Sequence, residues 1–329
     1  MPDILISENI SGAAVDELCA RFEVLRLPEL WKDPAGLLTQ VAKTRAMIVR
    51  NQTGVTREVL QAGTRLIVVA RAGVGVDNID VGHASAAGIV VTYTPDQNSI
   101  SAAEFTMGMM LALVRKIPVA VADTGRGGWN RHQFVGMELY GKALGIIGAG
   151  KIGFLTAKRA QAFGMKILAY DPFLGNDNFL LRELNAELLD LNELLARADV
   201  VSCHVPGTPQ TSGLLNRQRF AHMKPTAFLV NTSRGEIIVE SDLVDALKSG
   251  KIAGAALDVR ASEPPNVQEL ERMPNVILTP HIAAFTNEAQ DRVVQAVCDD
   301  VARVLEGKAA RYPATKFGTP RGAPAKIAK

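Results

Sequence analysis

The chain is poor in aromatics, which make up 5% of its 329 residues, and it holds only three cysteines, Cys19, Cys203 and Cys298. Cysteines that are odd in number and widely spaced fit neither a disulfide framework nor a zinc site with paired ligands, so a reducing compartment and no metal are expected. Net charge is also small, +2. Four basic residues after Pro313 (Lys316, Arg321, Lys326, Lys329) meet no acid there, which leaves the body of the chain slightly acidic. A nucleic-acid partner calls for a basic stripe on the folded body, and only a basic tail is present. Long apolar runs are missing as well. The most membrane-like stretch, Met107 to Val114, closes at Arg115 and Lys116, far short of the about 18 apolar residues of a spanning helix. The N-terminus sets an acid, Asp3, ahead of a short apolar run, unlike a signal peptide. These absences lead to the expectation of a soluble, cytoplasmic protein that binds neither nucleic acid nor membrane.

What is present is ordinary for a globular chain: 47% apolar and 21% charged residues, which excludes disorder, collagen and coiled-coil arrays as whole-chain readings. The length exceeds what one hydrophobic core usually serves, so two domains are expected. Abundant Val, Ile, Leu, Ala and Gly with few aromatics suits parallel sheets flanked by helices, an α/β class. Short β-rich runs are read at 4–6, 22–27, 46–49, 66–69 and 89–92. A Ser-x-x-Glu capping box at Ser101 and Glu104 opens a long helix ending near Val114. From 123 to 141 a glycine-rich stretch with Trp129 reads as an irregular arm whose apolar side chains need a neighbouring subunit. Alternation restarts with strands at 143–147, 167–170, 200–203, 227–230, 253–257 and 276–278. A last amphipathic run, Glu288 to Leu305, should pack back onto the first unit, since its apolar face would otherwise lie bare.

Gly148-Ala149-Gly150-Lys151-Ile152-Gly153 sets Gly-x-Gly-x-x-Gly directly after the apolar strand at 143–147 and at the opening of a helix. In that context Gly148 permits the tight turn, Gly150 lets the backbone approach a pyrophosphate, and Gly153 lets the helix pack closely on the strand, while the helix N-terminus offers free amides. Asp171 follows the next strand, 21 residues after Gly150. A carboxylate there accepts hydrogen bonds from the adenosine ribose and repels a 2′-phosphate, which favours NAD over NADP; read alone, Asp171-Pro172 is also a common loop starter.

Three polar segments follow strands of this second unit, and open parallel sheets gather ligands at the carboxyl ends of their strands. They are Asn231 to Gly235 with Arg234, Asp258 with Glu263-Pro264-Pro265, and Thr279 to Ala283 with His281. An arginine fork matches a planar carboxylate, and a histidine with a carboxylate on its far nitrogen can protonate a carbonyl. Singly, each has a duller reading: a surface ion pair, a turn histidine, a solvated loop. Together, downstream of a dinucleotide loop, they point to a site for a 2-oxo acid.

On these residues the chain, up to about Leu305, resembles the D-isomer-specific 2-hydroxyacid dehydrogenase family. Gly148-x-Gly150-x-x-Gly153, Asp171, Asn231 to Gly235, Ala255 to Val259 with Glu263-Pro264, and Pro280-His281 stand in that family's order. Arg71 to Asp80 and Asn98 to Glu104 look most like its 3-phosphoglycerate dehydrogenase branch, without that branch's regulatory domain. The resemblance implies a Rossmann-type doubly wound parallel sheet with a second, smaller flavodoxin-like α/β domain. It implies a discontinuous substrate-binding domain at 1–97 plus 286–312, an NAD-binding domain at 98–285, and a basic flexible tail at 313–329. It also implies that Arg234 holds the substrate carboxylate, that His281 is the acid/base, and that Glu263 orients and charges it. NAD would lie against Val74, Gly148, Gly150, Lys151, Ile152, Gly153, Asp171, Pro172, His204, Val205, Pro206, Thr211, Thr232, Ser233, Asp258 and Ala283. The substrate would meet Arg50, Arg71, Gly73, Val74 and Gly75, with Arg131 arriving across a homodimer.

Two positions depart from that branch: Phe285 stands where a small hydroxyl residue is usual, and Arg260 where an aromatic is usual after Asp258-Val259. Both put the substrate wall in doubt. The expected activity is NAD-dependent hydride transfer to or from a small 2-hydroxy/2-oxo acid. Arg50 and Arg71 favour a doubly anionic one of 3-phosphoglycerate, hydroxypyruvate/glyoxylate or sulfolactate type. The rival reading is a non-catalytic NAD(H)-sensing interaction protein of the co-repressor type.

Overall fold

The computed structural model describes residues 1–175, 178–266 and 269–320. The chain divides into two compact units, Met1–Asn98 with Thr286–Lys329, and Ser99–Phe285.

In the first unit, β1 (Ile4–Ile6), β2 (Val24–Arg26), β3 (Ala46–Val49), β4 (Val68–Arg71) and β5 (Val90–Thr92) form a parallel sheet in the order β2-β1-β3-β4-β5. This is the flavodoxin-like order expected from the sequence. The strands are short apolar runs because both faces are covered, and side-chain alternation divides them between two cores. Ile4, Ile6, Ile48, Val68, Ala70 and Val90 join one face with Val293, Val297 and Val301 of the helix Asn287–Leu305. Leu5, Met47, Val49, Val69 and Val91 face the other way, onto Leu37, Val41, Val59 and Leu60. The long amphipathic helix therefore does cover this sheet. β4 begins two residues later than its apolar run suggests, so Arg71 ends the strand instead of following it.

The segment after Tyr312 corrects an expectation. Composition marks it as a solvated extension, yet its described part packs. Thr92 and Pro313 form an antiparallel bridge, Ala314 N donates to Val91 O at 2.7 Å, Thr315 is buried, and Phe317 lies against the apolar core. Buried Asp300 shapes the approach by accepting from the amides of Arg311 and Tyr312 at 2.7 and 3.1 Å. An exposed sheet edge at β5 is a liability that this segment removes. Residues 321–329, with Arg321, Lys326 and Lys329, lie outside the described residues.

In the second unit, β6 (Ala143–Ile147), β7 (Lys166–Tyr170), β8 (Glu187–Leu188), β9 (Val200–Cys203), β10 (Phe228–Asn231), β11 (Gly254–Leu257) and β12 (Val276–Leu278) form a parallel sheet. Its order, β12-β11-β10-β9-β6-β7-β8, is the doubly wound arrangement, with the reversal of direction between β6 and β9. Helices Lys151–Ala162, Leu191–Arg197 and Glu240–Lys248 connect strands, and helix Ser99–Val114 packs Met107, Met110 and Leu113 into the core. That helix starts at Ser99, so Ser101 and Glu104 lie inside it and do not cap it. The Glu104 carboxylate instead accepts from Arg159 NH2 at 2.9 Å. The expected arm is partly helical: Lys116 in the left-handed region (φ 55°) separates Ser99–Val114 from a further helix, Ile117–Gly125, and a 3-10 turn follows at Arg131–Phe134. Trp129, Val135 and Tyr140 stand exposed along it. Among the described residues no single helix is long and apolar enough to cross a membrane.

Candidate active site

The glycine loop joins β6 to helix Lys151–Ala162, and its three glycines serve different ends. Gly148 has φ +92°, and a Cβ there would lie 2.7 Å from Val205 and 2.8 Å from His204 O. A Cβ on Gly153 would lie 2.2 Å from Gly148 O. Packing therefore demands both. A Cβ on Gly150 would meet no atom within 4 Å, so this glycine keeps open the space in front of the first helical turn, where Lys151 and Ile152 present their amides. A cradle that no protein neighbour requires, at a helix N-terminus, fits a pyrophosphate. Asp171 closes the loop: Oδ2 accepts from Ala149 N and Oδ1 from Phe173 N, each at 3.0 Å, while Pro172 is exposed beside it. His204 follows β9, its Nε2 is 2.9 Å from Ser202 Oγ, and desolvation pushes its pKa down to about 3. Val205 and Pro206 continue the wall, with Thr211 Oγ1 donating to Pro206 O at 2.6 Å.

At the end of β10 the buried Asn231 wraps the next turn. Its Nδ2 donates to Arg234 O at 2.8 Å, and its Oδ1 accepts from Ser233 N and Oγ at 3.0 and 2.8 Å. This fixes the direction of Arg234, whose NH1 donates to Ser233 O at 2.7 Å. Thr232 Oγ1 meets the buried Thr106 Oγ1 at 2.7 Å, a contact that no local pattern announces.

At the ends of β11 and β12 His281 and Glu263, the expected acid/base pair, come together. His281 Nδ1 donates to Glu263 Oε2 at 2.7 Å, which leaves Nε2 as the ring nitrogen open to a substrate. Burial would raise the Glu263 carboxyl, but the bonds from His281 and Arg260 N and the charges of His281 and Arg234 outweigh it and hold the pKa below the ordinary value. His281 itself sits at φ 56°, and its N donates to Asp258 O at 2.8 Å. Asp258 proves to be the brace of this loop. Its carboxylate accepts from Thr279 Oγ1, Ile282 N and Ala283 N at 2.6, 2.9 and 2.8 Å. Even so, burial prevails and raises its pKa.

The structure thus brings Arg234, Glu263 and His281 together in one unit, beside the glycine loop's sheet edge. Arg50, Arg71, Gly73, Val74 and Gly75 belong to the other unit. There Arg50 follows β3 and Arg71 ends β4, on neighbouring strands. Arg50 NH1 donates to Gln290 Oε1 at 2.5 Å, and burial lowers the pKa of its guanidinium against the opposing charge of Glu8. Buried Glu8, which no motif marks, accepts from the amides of Arg50, Gln52 and Thr53 at 2.7, 3.1 and 3.0 Å. Gly73 makes room for Arg71, since a Cβ there would lie 1.5 Å from its NH1. Arg131 stands exposed in the 3-10 turn at 131–134.

Residues 107–283 match the D-isomer specific 2-hydroxyacid dehydrogenase, NAD binding domain. The chain belongs to this family. A D-3-phosphoglycerate dehydrogenase of Methanocaldococcus jannaschii is 45% identical over 311 residues, 94% of this chain and 59% of the relative. The chain therefore spans less than two thirds of that relative's length. Among solved structures, D-lactate dehydrogenase of Aquifex aeolicus, complexed with NAD and lactic acid, is similar with TM-score 0.83 and 29% identity, covering 92% of this chain and 95% of that one. An NADPH-dependent glyoxylate/hydroxypyruvate reductase of Sinorhizobium meliloti, in complex with NADP and malonate, is similar with TM-score 0.86 and 28% identity, covering 97% and 98%. Family membership agrees with the dinucleotide loop and the strand-end residues, while the relatives differ among themselves in substrate and in cofactor phosphate.

Proposed function

We infer that the protein is an NAD-dependent D-2-hydroxyacid dehydrogenase acting on a small, doubly anionic 2-hydroxy/2-oxo acid. The observation that carries this reading is the His281–Glu263 hydrogen bond, in the same unit as Arg234 and the glycine cradle. When bound, NAD(H) supplies or accepts a hydride at the substrate's C2; the residues that would hold it are Gly148, Gly150, Lys151, Ile152, Gly153 and Asp171, with His204, Val205, Thr232 and Ser233 toward the nicotinamide half. The chain's own residues do the rest. The Arg234 fork grips the substrate carboxylate and orients the keto group. In the reducing direction His281 gives its Nε2 proton to the carbonyl oxygen as the alcohol forms, and in the other direction it takes that proton back. Glu263 holds the Nδ1 proton throughout, so only one ring nitrogen exchanges a proton with substrate.

A second anion is read by Arg50 and Arg71. The buried Nε of Arg50 has no hydrogen-bond partner among the described residues, which supports it as a donor for an anion. Asp171, whose two oxygens already face the glycine loop and Phe173 N, favours NAD over NADP by charge and by occupancy. The exposed Trp129, Val135 and Tyr140 on the arm support a homodimer in which Arg131 reaches the neighbouring site, and the free cysteines suit a reducing cytoplasm. Steady oxidation of NADH with a panel of 2-oxo acids tests the reading: turnover on phosphorylated or sulfonated 2-oxo acids is expected. Binding of NADH without turnover on any acid would overturn it in favour of a sensor.

A further inference from the structure

Arg260, which departs from the aromatic usual in the related branch, is not a surface arginine. It is only 8% exposed, and its guanidinium forks onto one carboxylate: Nε and NH2 donate to Glu240 Oε1 and Oε2, both at 3.0 Å. Its NH1 donates to Glu271, in the 3-10 turn Leu270–Arg272. Glu240 has a second task, since its Oε1 also accepts from Ala261 N at 2.8 Å. Two chain segments, one opening helix Glu240–Lys248 and one in the turn Leu270–Arg272, therefore converge on residues 260–261 from either side in sequence.

The backbone held in this way touches both sides of the candidate chemistry. Arg260 N donates to Glu263 Oε1 at 3.1 Å, the oxygen not used by His281, so the carboxylate is gripped at both ends. On the other flank Gly235, the residue after Arg234, lies directly under Arg260: a Cβ there would be 1.9 Å from Arg260 C and 2.0 Å from its O. Residue 260 is thus wedged between the turn that carries Arg234 and the acid that holds His281. A carboxylate that must keep one geometry through a proton transfer needs such support, because small misplacements are costly in rate.

We propose that Arg260, with Glu240 and Glu271, is a positioning device for the proton-transfer pair, an ionic clamp that fixes the Glu263 carboxylate on His281 Nδ1. It rests on the dehydrogenase reading for its effect on rate but not for its effect on the hydrogen bond. The charged groups facing Glu263 are His281 and Arg234. Those facing the clamp are Glu240, Glu271 and Arg260 itself. Removing the guanidinium leaves Glu240 and Glu271 facing each other without a cation, so the loop must shift.

The test compares Arg260→Met, Arg260→Lys and Glu240→Gln with the unsubstituted protein. In Arg260→Met, kcat on the best 2-oxo acid should fall about 10- to 100-fold, while NADH affinity, read by fluorescence titration, stays within about twofold. The acid limb of kcat should move to higher pH as Glu263 loses its fixed donors. Arg260→Lys, which keeps charge without the fork, should recover only part, and Glu240→Gln should give a milder form of the same pattern. Independently of turnover, the His281 Nδ1 proton should give a sheltered signal by nitrogen-detected NMR, assigned by its loss in His281→Gln among the five histidines, and Arg260→Met should broaden or erase it. An unchanged Nδ1 signal and acid limb, with only the melting temperature lowered, would overturn the proposal. An inactive parent protein would sink the dehydrogenase reading, and the NMR comparison would still decide the clamp.

Discussion

The two sheets each place arginine at a carboxyl edge, and they do it by different means. After β10, the turn bearing Arg234 is bonded mainly by its own neighbour, Asn231, which reaches residues two and three positions on, while Gly235 answers to the more distant Arg260 packed against it. After β3, the turn bearing Arg50 is built from afar, by Glu8, Asn78 and Gln290. The Asn231 bonds of the first turn span two or three residues, whereas the bonds of the second span 28 to 240. Short-range design thus goes with the residue expected to hold the reacting carboxylate, and long-range design with the residue expected to tell one substrate from another.

The largest effect is expected at His281. His281→Ala should cut turnover by about 10²–10⁴ while leaving NADH binding nearly unchanged; stopped-flow and binding titration on one preparation would check both halves. Next is Arg71→Ala. Its charge-assisted bonds are each worth about 1.5–3 kcal/mol, so kcat/KM should fall about 10- to 100-fold for a phosphorylated or sulfonated acid and far less for glyoxylate. Equal losses on both substrates would show that the five-stranded edge reads no second anion. Third, Asp171→Ala should narrow the preference for NADH over NADPH by about tenfold, chiefly by relieving repulsion, and a parent enzyme using both equally would remove the basis for it.

A smaller effect concerns pH. The Glu263 carboxyl is held below the ordinary 4.5, so its contribution to stability is fully present above that value and is lost as pH falls through the lower folded value. The gap in melting temperature between the parent and Glu263→Gln should therefore close as pH falls below about 4.5. A gap that persists unchanged at pH 3 would mean that the carboxylate charge is not what holds the loop.

Much of the second unit was legible in the chain, because its signals are short-range. Gly148 to Gly153 encode a strand-turn-helix within six residues, and Ala143–Ile147 and Val200–Cys203 are bounded apolar runs read to the residue. The capping box at Ser101 and Glu104 misled because helix Ser99–Val114 is apolar nearly all round and already under way at Ser101, and Glu104 finds Arg159 instead. The stretch after Tyr312 misled because composition counts Pro, Gly and Lys but does not see the bare edge of β5.

The alternation of strand and helix, the glycine loop and the candidate residues Arg234, Glu263 and His281 are readable from the chain alone, since each is written in a pattern of a few residues that local geometry obeys. Which partners each carboxylate meets was set by the assembled fold. Asp258, Glu263, Glu240 and Glu8 look alike on the page, and what separates them is whether their oxygens meet backbone amides, an imidazole or a buried guanidinium. Apart from Arg260 N on Glu263, those partners lie 18 to 45 residues away, beyond the reach of any local preference. The packing of parallel strands, which sets every strand end on one edge, makes the choice instead.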